Sequence, residues 1–78
     1  MFDQKIFQER LKQIRIANEL TLERFGKLFG ISKQSTSRWE TGINLPTINK
    51  LYEIAMYFNV SSDYLLGLSD DPKRKWYN

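Results

Sequence analysis

The side chains most suited to a chemical role lie between Ser32 and Gly42. At about 100° per residue, one side of a helix over this stretch would carry polar and cationic groups and no carboxylate: Lys33 at its border, then Gln34, Ser37, Arg38 and Thr41. Amide and guanidinium groups can bond bidentately to adenine or guanine in the major groove, and a serine hydroxyl can bond several base edges. The stretch therefore has the chemistry of a DNA-reading helix, and a merely solvated polar face is the alternative.

The opposite side of the same stretch carries Thr36, Trp39 and Glu40. Trp39 could stack on a base, but its position away from Gln34 and Arg38 favours a core role. We expect these three residues to hold the helix in place. The helix would then have one face for packing and one for contact with a ligand.

Composition narrows the function classes. The chain has 78 residues, enough for one small domain, and its net charge of +3 is mild evidence for a polyanionic partner. It has no cysteine and no histidine, so disulfides, the usual zinc sites and histidine-dependent catalysis are excluded. Its carboxylates form no convergent pair, and no glycine-rich phosphate loop occurs. We therefore predict a protein that is not an enzyme and needs neither metal nor cofactor, with no small-molecule effector evident.

No apolar run approaches the roughly 20 residues of a membrane span. The N-terminus interleaves Asp3 and Glu9 with Lys5 and Arg10, so it lacks the apolar core of a signal peptide. We expect a cytoplasmic protein with no membrane partner.

The elements that position the polar stretch follow from the capping residues. These predict helices at about 4–17, 22–29, 33–40 and 48–58, and a short fifth helix that carries Tyr64, Leu65 and Leu66. The expected N-caps are Asp3, Thr21, Ser32, Thr47 and Ser61, and the glycine stops are Gly30, Gly42 and Gly67. No segment alternates apolar and polar residues as a strand would. The predicted fold class is all-α, a compact five-helix bundle.

Helical spacing also predicts which apolar residues face the core. On the first helix these are Phe7, Leu11 and Ile14, and on the second Phe25, Leu28 and Leu22. On the fourth helix the expected inner residues are Ile48, Leu51, Tyr52, Ala55 and Phe58. The second and third helices, joined through Gly30, form a helix-turn-helix arrangement.

At this point the sequence resembles the phage-repressor type of helix-turn-helix domain, the Cro/CI or Xre family, from about residue 7 to 68. The segments that carry the resemblance are Leu11-Lys12-Gln13-Ile14-Arg15, Gly30-Ile31-Ser32, Trp39-Glu40-Thr41-Gly42 with Pro46 after it, and Val60-Ser61-Ser62-Asp63-Tyr64-Leu65-Leu66-Gly67. The resemblance implies a lambda-repressor-like fold and a bacterial or phage transcriptional regulator, most often a repressor, associated with the nucleoid. Its third helix would lie in the major groove of double-stranded DNA.

The resemblance also implies roles for individual residues. Base contacts would come from Lys33, Gln34, Ser37 and Arg38, and backbone contacts from Thr21, Leu22, Ser35, Thr41 and Asn44. Glu40 would form a structural ion pair with Arg15 that ties the first helix to the third. The family usually acts as a homodimer on a palindromic operator, with Tyr64, Leu65 and Leu68 as possible dimer contacts; closure of the monomer's own core is the alternative for each.

Four residues or segments depart from the family pattern. Leu22 replaces a common glutamine, and the loop 42–46 lacks the usual lysine or arginine, which lowers the expected number of phosphate contacts. Gly26 replaces alanine and Thr36 replaces isoleucine or valine. These departures keep open a second function, a small protein-interaction module such as an antitoxin or accessory factor that acts through a partner protein.

We expect a DNA-binding domain over residues 1–69 and a basic, poorly ordered tail over 70–78. The tail run Lys73-Arg74-Lys75-Trp76-Tyr77 could reach DNA as an arm or could simply be solvated.

Overall fold

The computed structural model describes residues 1–74 of the chain. Five helices follow one another in the order α1 (Gln4–Ala17), α2 (Leu22–Phe29), α3 (Lys33–Thr41), α4 (Ile48–Phe58) and α5 (Ser62–Leu66). The described residues form no sheet and contain one isolated antiparallel bridge, between Val60 and Lys73. The predicted all-α, five-helix fold is confirmed. No helix within residues 1–74 is long and apolar enough to cross a membrane.

The helix ends lie where the capping residues predict them. The side chains of the five predicted N-caps each accept a hydrogen bond from a backbone N–H in the first turn of their helix: Asp3, Thr21, Ser32, Thr47 and Ser61. At the other end, Gly30, Gly42 and Gly67 adopt positive φ angles of 67°, 83° and 80°. Because these signals are local, they fix the helix bounds before any tertiary contact forms.

The core lies between α1, α2, α3 and α4 and is closed by α5. Its fully or almost fully buried apolar side chains are Phe7, Leu11, Phe25, Phe29, Trp39, Ile54, Ala55 and Leu65. Phe25 and Phe58 stack with their ring centroids 6.0 Å apart, and Phe29 lies 4.8 Å from Phe25. The predicted core position of Trp39 is confirmed, since that side chain is 6% exposed.

The predicted inner face of α4 is wrong at two positions. Ile48 is 87% exposed and Tyr52 is 64% exposed, whereas Ile54, which was not predicted, is fully buried. The inner face of this helix instead contains Leu51, Ile54, Ala55 and Phe58, at the spacing i, i+3, i+4 and i+7. Ile48, Tyr52 and Met56, spaced at i, i+4 and i+8, form a second apolar row that faces outward. On α2, Leu28 is likewise exposed rather than buried.

The close approach of α2 and α3 depends on Gly26, which is buried in α2. A Cβ at this position would lie 2.6 Å from the carbonyl oxygen of Ile31 and 3.2 Å from the hydroxyl oxygen of Thr36. The buried Thr36 hydroxyl donates to the carbonyl of Ser32 at 3.1 Å, so its polar atom is satisfied. Both departures from the family pattern thus belong to one tight contact between the motif helices.

The segment after α5 is attached to the bundle as far as residue 74. The Arg10 guanidinium donates to the carbonyls of Tyr64 and Ser69 and pairs with the Asp70 carboxylate at 2.9 Å. The backbone N–H of Ser61 donates to the Pro72 carbonyl at 2.8 Å. The predicted boundary at residue 69 stays a prediction, and the tail residues 75–78 lie outside the described residues.

Candidate nucleic-acid interface

The outer face of α3 presents the four predicted base-contact residues together. Lys33, Gln34 and Arg38 are exposed, and Ser37 is half-buried between them. We call these four residues the reading face. Among residues 1–74, no hydrogen bond or ion pair engages the side chains of Lys33, Gln34 or Arg38. Their donors and acceptors are therefore available to a ligand without the loss of an internal bond.

The reading face is supported by a bidentate ion pair behind it. Arg15 on α1 donates from Nε to Oε2 of Glu40 at 2.6 Å and from Nη2 to Oε1 at 3.0 Å. A third bond runs from Arg15 Nη1 to the Leu20 carbonyl at 2.8 Å. The two side chains are only 13% and 6% exposed, so solvent screens their attraction little. The pair ties α1 to α3, as the family resemblance implies, and Glu40 takes no part in the exposed face.

The predicted backbone-contact residues surround this face in two groups. At the start of α2, the Thr21 hydroxyl accepts from the Arg24 N–H at 3.1 Å, and Leu22 is half-buried. The first N–H groups of a helix have no partner within it, and the helix dipole there favours an anion. This end of α2 therefore offers backbone donors to a phosphate even though Leu22 has no polar side chain.

The second group lies along α3 and the loop after it. Ser35 is half-buried and shares a hydroxyl contact of 3.1 Å with the cap residue Ser32. The Thr41 hydroxyl donates to the Ser37 carbonyl at 3.0 Å, and Asn44 is exposed with its backbone N–H on the Arg38 carbonyl at 3.3 Å. Thr41 and Asn44 therefore remain accessible, whereas the Ser35 hydroxyl is already used in the helix cap.

One contact in this region was not predicted from the sequence. The Gln4 side chain on α1 donates from Nε2 to the Gly42 carbonyl at 2.6 Å, across 38 positions of the chain. The end of α3 is thus fixed by α1 at two places, at Glu40 and at Gly42. No local sequence signal indicates such a long-range bond.

The possible dimer contacts are not equally accessible. Leu65 is fully buried in the core, so its predicted role as a dimer contact is wrong: the side chain has no exposed surface to offer. Tyr64 is half-buried, with the Arg10 guanidinium 4.0 Å from its ring centroid. Leu68 is 75% exposed. Of the three, Leu68 and part of Tyr64 remain available.

Comparison with known families agrees with this geometry. A family model described as helix-turn-helix matches residues 11–65, which include α2, α3, α4 and both partners of the ion pair. The chain belongs to the helix-turn-helix family. The resemblance found in the sequence is therefore confirmed.

Relatives and solved structures place the chain among regulators. It is 40% identical over 70 residues to the uncharacterized HTH-type transcriptional regulator YobD of Bacillus subtilis (strain 168), covering 90% of this chain and 62% of YobD. It is 35% identical to the HTH-type transcriptional activator BcrR of Enterococcus faecalis, covering 78% of this chain and 30% of BcrR. The chain thus spans less than two thirds of the length of either relative.

A solved structure with a similar fold is the P22 c2 repressor in complex with the synthetic operator 9T. The TM-score is 0.72 and the sequence identity 28%, over 78% of this chain and 92% of the repressor chain. The likeness therefore covers almost the whole of that domain.

Proposed function

We propose that this chain binds double-stranded DNA in a sequence-specific way and acts as a transcriptional regulator without catalysing a reaction. The observation that carries the proposal is the reading face, because its exposed amide and guanidinium groups are free while the helix behind them is anchored. A rigid helix that presents unpaired bidentate donors is what major-groove readout requires. The membership of the helix-turn-helix family and the operator bound by the P22 c2 repressor support the same conclusion.

In this proposal α3 lies in the major groove. Gln34 and Arg38 read base edges bidentately, and Lys33 and Ser37 add further base contacts. Thr41, Asn44 and the start of α2 at Thr21 and Leu22 meet phosphates and set the register, while Ser35 contributes through its backbone. These roles follow from exposure and position on the helix.

The proposal is tested by selection of bound duplexes from a random pool, followed by affinity measurements on the selected site. Arg38→Ala and Gln34→Ala should each cost about 1–3 kcal/mol and relax the preference at one base position. Gln13→Ala is the matched control, because Gln13 is an exposed glutamine on α1, away from the reading face. Equal weakening for every duplex sequence would leave a non-specific role in place of the proposed one.

We further propose that two copies bind one palindromic operator. The molecule measures 36 × 26 × 22 Å, and half-sites one helical turn apart are separated by about 34 Å. Two copies on adjacent half-sites must therefore lie close to one another, and Leu68, with its exposed side chain, is the candidate contact beside Tyr64. Analytical ultracentrifugation of Leu68→Ser with the selected duplex tests the pairing, since two wild-type copies should bind and the variant should bind less cooperatively.

Repression by occupation of the operator is the form of regulation that we propose. The P22 c2 repressor shares 28% identity with this chain across 92% of its own length, whereas the activator BcrR is covered over 30% of its length. A reporter gene placed behind the selected operator would fall in expression when the protein is supplied. A rise would assign activation instead.

The exposed row Ile48, Tyr52 and Met56 favours the second candidate function, an interaction module that acts through a partner protein. The two functions differ in their response to salt. A DNA regulator loses affinity steeply between low and moderate salt because it releases counterions, whereas a module without DNA binding shows no such retention on duplex DNA. Ile48→Ser should leave the affinity for the selected duplex unchanged if α3 alone reads DNA.

A further inference from the structure

Two glutamines of α1 lie against the residue that ends the recognition helix. Gln4 donates from Nε2 to the Gly42 carbonyl at 2.6 Å. A Cβ built on Gly42 would lie 1.8 Å from Nε2 of Gln8, so the Gln8 amide occupies the space where a side chain would stand. Gln4 and Gln8 are four residues apart and therefore share one face of α1. Gly42 thus needs to be glycine for its positive φ and also for this contact.

The same short loop is held from its other side by α3. The carbonyl of Arg38 accepts from the backbone N–H groups of Gly42, Ile43 and Asn44, the latter two at 3.0 and 3.3 Å. Residues 42–44 are therefore bracketed between the last turn of α3 and the side chains of α1. Asn44, the exposed backbone-contact candidate, comes directly after this bracketed stretch.

Preorganisation matters here because the loop 42–46 contains no lysine or arginine. A flexible cationic loop can still be drawn to phosphate by long-range attraction, but a neutral amide must already be within hydrogen-bond distance. Ordering a loop at the moment of binding costs conformational entropy, and a loop ordered beforehand avoids that cost.

We propose that Gln4 is a positioning residue for DNA binding, which holds the Gly42 carbonyl so that Asn44 meets the DNA backbone at a fixed distance from the reading face. Gln8 packs against Gly42 and supports the same arrangement. The inference rests on the proposed function. It assigns to α1 a part in DNA affinity although Gln4 itself makes no base contact.

The first test reads the loop without DNA. Gln4→Met keeps the length of the side chain and removes its donor, and Gln13→Met is the matched control on the same helix. Amide hydrogen exchange at Ile43 and Asn44 should become about three- to tenfold faster in Gln4→Met, the factor that one hydrogen bond supplies, while the amides of mid-α3 keep the wild-type rate. Unchanged exchange at Ile43 and Asn44 would overturn the proposed clamp, whatever the protein binds.

The second test reads affinity for the selected duplex. Gln4→Met should bind about three- to tenfold more weakly than Gln13→Met, with an unchanged base preference. In an Asn44→Ala background the same substitution should change the affinity by less than about twofold, because the contact that Gln4 positions is already lost. A merely structural role would give equal losses in both backgrounds, and this outcome would overturn the inference.

The two failures are distinguishable. If the wild-type chain selects no duplex, the proposed function fails together with the role of Gln4 in it. If the wild-type chain selects a duplex and Gln4→Met binds it as Gln13→Met does, the inference alone fails. Gln8→Ala provides an independent variant of the same clamp and should weaken binding in the same direction.

Discussion

The ion pair between Arg15 and Glu40 makes the most quantitative prediction for stability. Glu40→Ala removes two of the three hydrogen bonds of the Arg15 guanidinium and leaves the one to the Leu20 carbonyl. Exposed ion pairs contribute about 0.2–1 kcal/mol, whereas removal of one partner from a buried pair costs about 3–5 kcal/mol. With side chains 13% and 6% exposed, this pair lies near the buried limit. Because one bond remains, we expect a loss of about 2–3 kcal/mol in the free energy of unfolding.

Urea unfolding followed by far-ultraviolet circular dichroism measures this loss. In a domain of this size it corresponds to a fall in Tm of roughly 10–20 °C. Glu40→Gln keeps the shape and one acceptor but removes the charge, so its loss should lie between those of the wild type and Glu40→Ala. Glu23→Ala is the control, since Glu23 and Lys27 form an exposed pair at 3.6 Å that should contribute less than about 0.5 kcal/mol.

A double-mutant cycle decides whether the pair itself is responsible. Arg15→Ala and Glu40→Ala should together cost less than the sum of the single losses, by about 1.5–3 kcal/mol. If the single losses add to within about 0.5 kcal/mol, the two side chains do not stabilise each other and the reasoning from their burial is refuted.

Three further predictions concern the motif helices and the loop. Gly26→Ala should destabilise the fold by about 1–3 kcal/mol despite the better helix propensity of alanine, because its Cβ would lie 2.6 Å from the backbone carbonyl of Ile31; a more stable variant in thermal unfolding would contradict this. Thr36→Val, which replaces a buried hydroxyl by a methyl of similar size, should cost about 1 kcal/mol in urea unfolding through the lost bond to Ser32, and no loss would show that the bond contributes nothing. Asn44→Ala should lower the salt slope of DNA binding by about one without a change in base preference, and an altered preference would make Asn44 a base contact.

The helix bounds could be predicted because their signals are local. An N-cap such as Thr47 and a stop such as Gly42 act within a turn of the residues they cap, so sequence alone is sufficient. The buried face of α4 could not be predicted in the same way. Ile48, Tyr52 and Ile54 all stand at helical spacing to other apolar residues, and only packing against the neighbouring helices decides which row is buried.

The candidate site divides along the same line. The exposure of the reading face follows from the period of α3 and was predictable from its residue types. The bond from Gln4 to Gly42 joins residues 38 positions apart and involves a glutamine on a helix full of polar residues, so nothing in the sequence singles it out. The burial of Leu65 likewise depends on the contact between α1 and α5, which the pattern of α5 alone does not reveal.

The central claim is that the exposed face of α3 reads base sequence. The most direct measurement compares the affinity of the wild-type chain for its selected duplex with that for a scrambled duplex at the same moderate salt concentration, and repeats the comparison with Arg38→Ala. The account predicts that the wild type prefers the selected duplex by about a thousandfold or more and that Arg38→Ala reduces this ratio by about tenfold or more. Equal affinity of the wild type for both duplexes, or an unchanged ratio in Arg38→Ala, would contradict it.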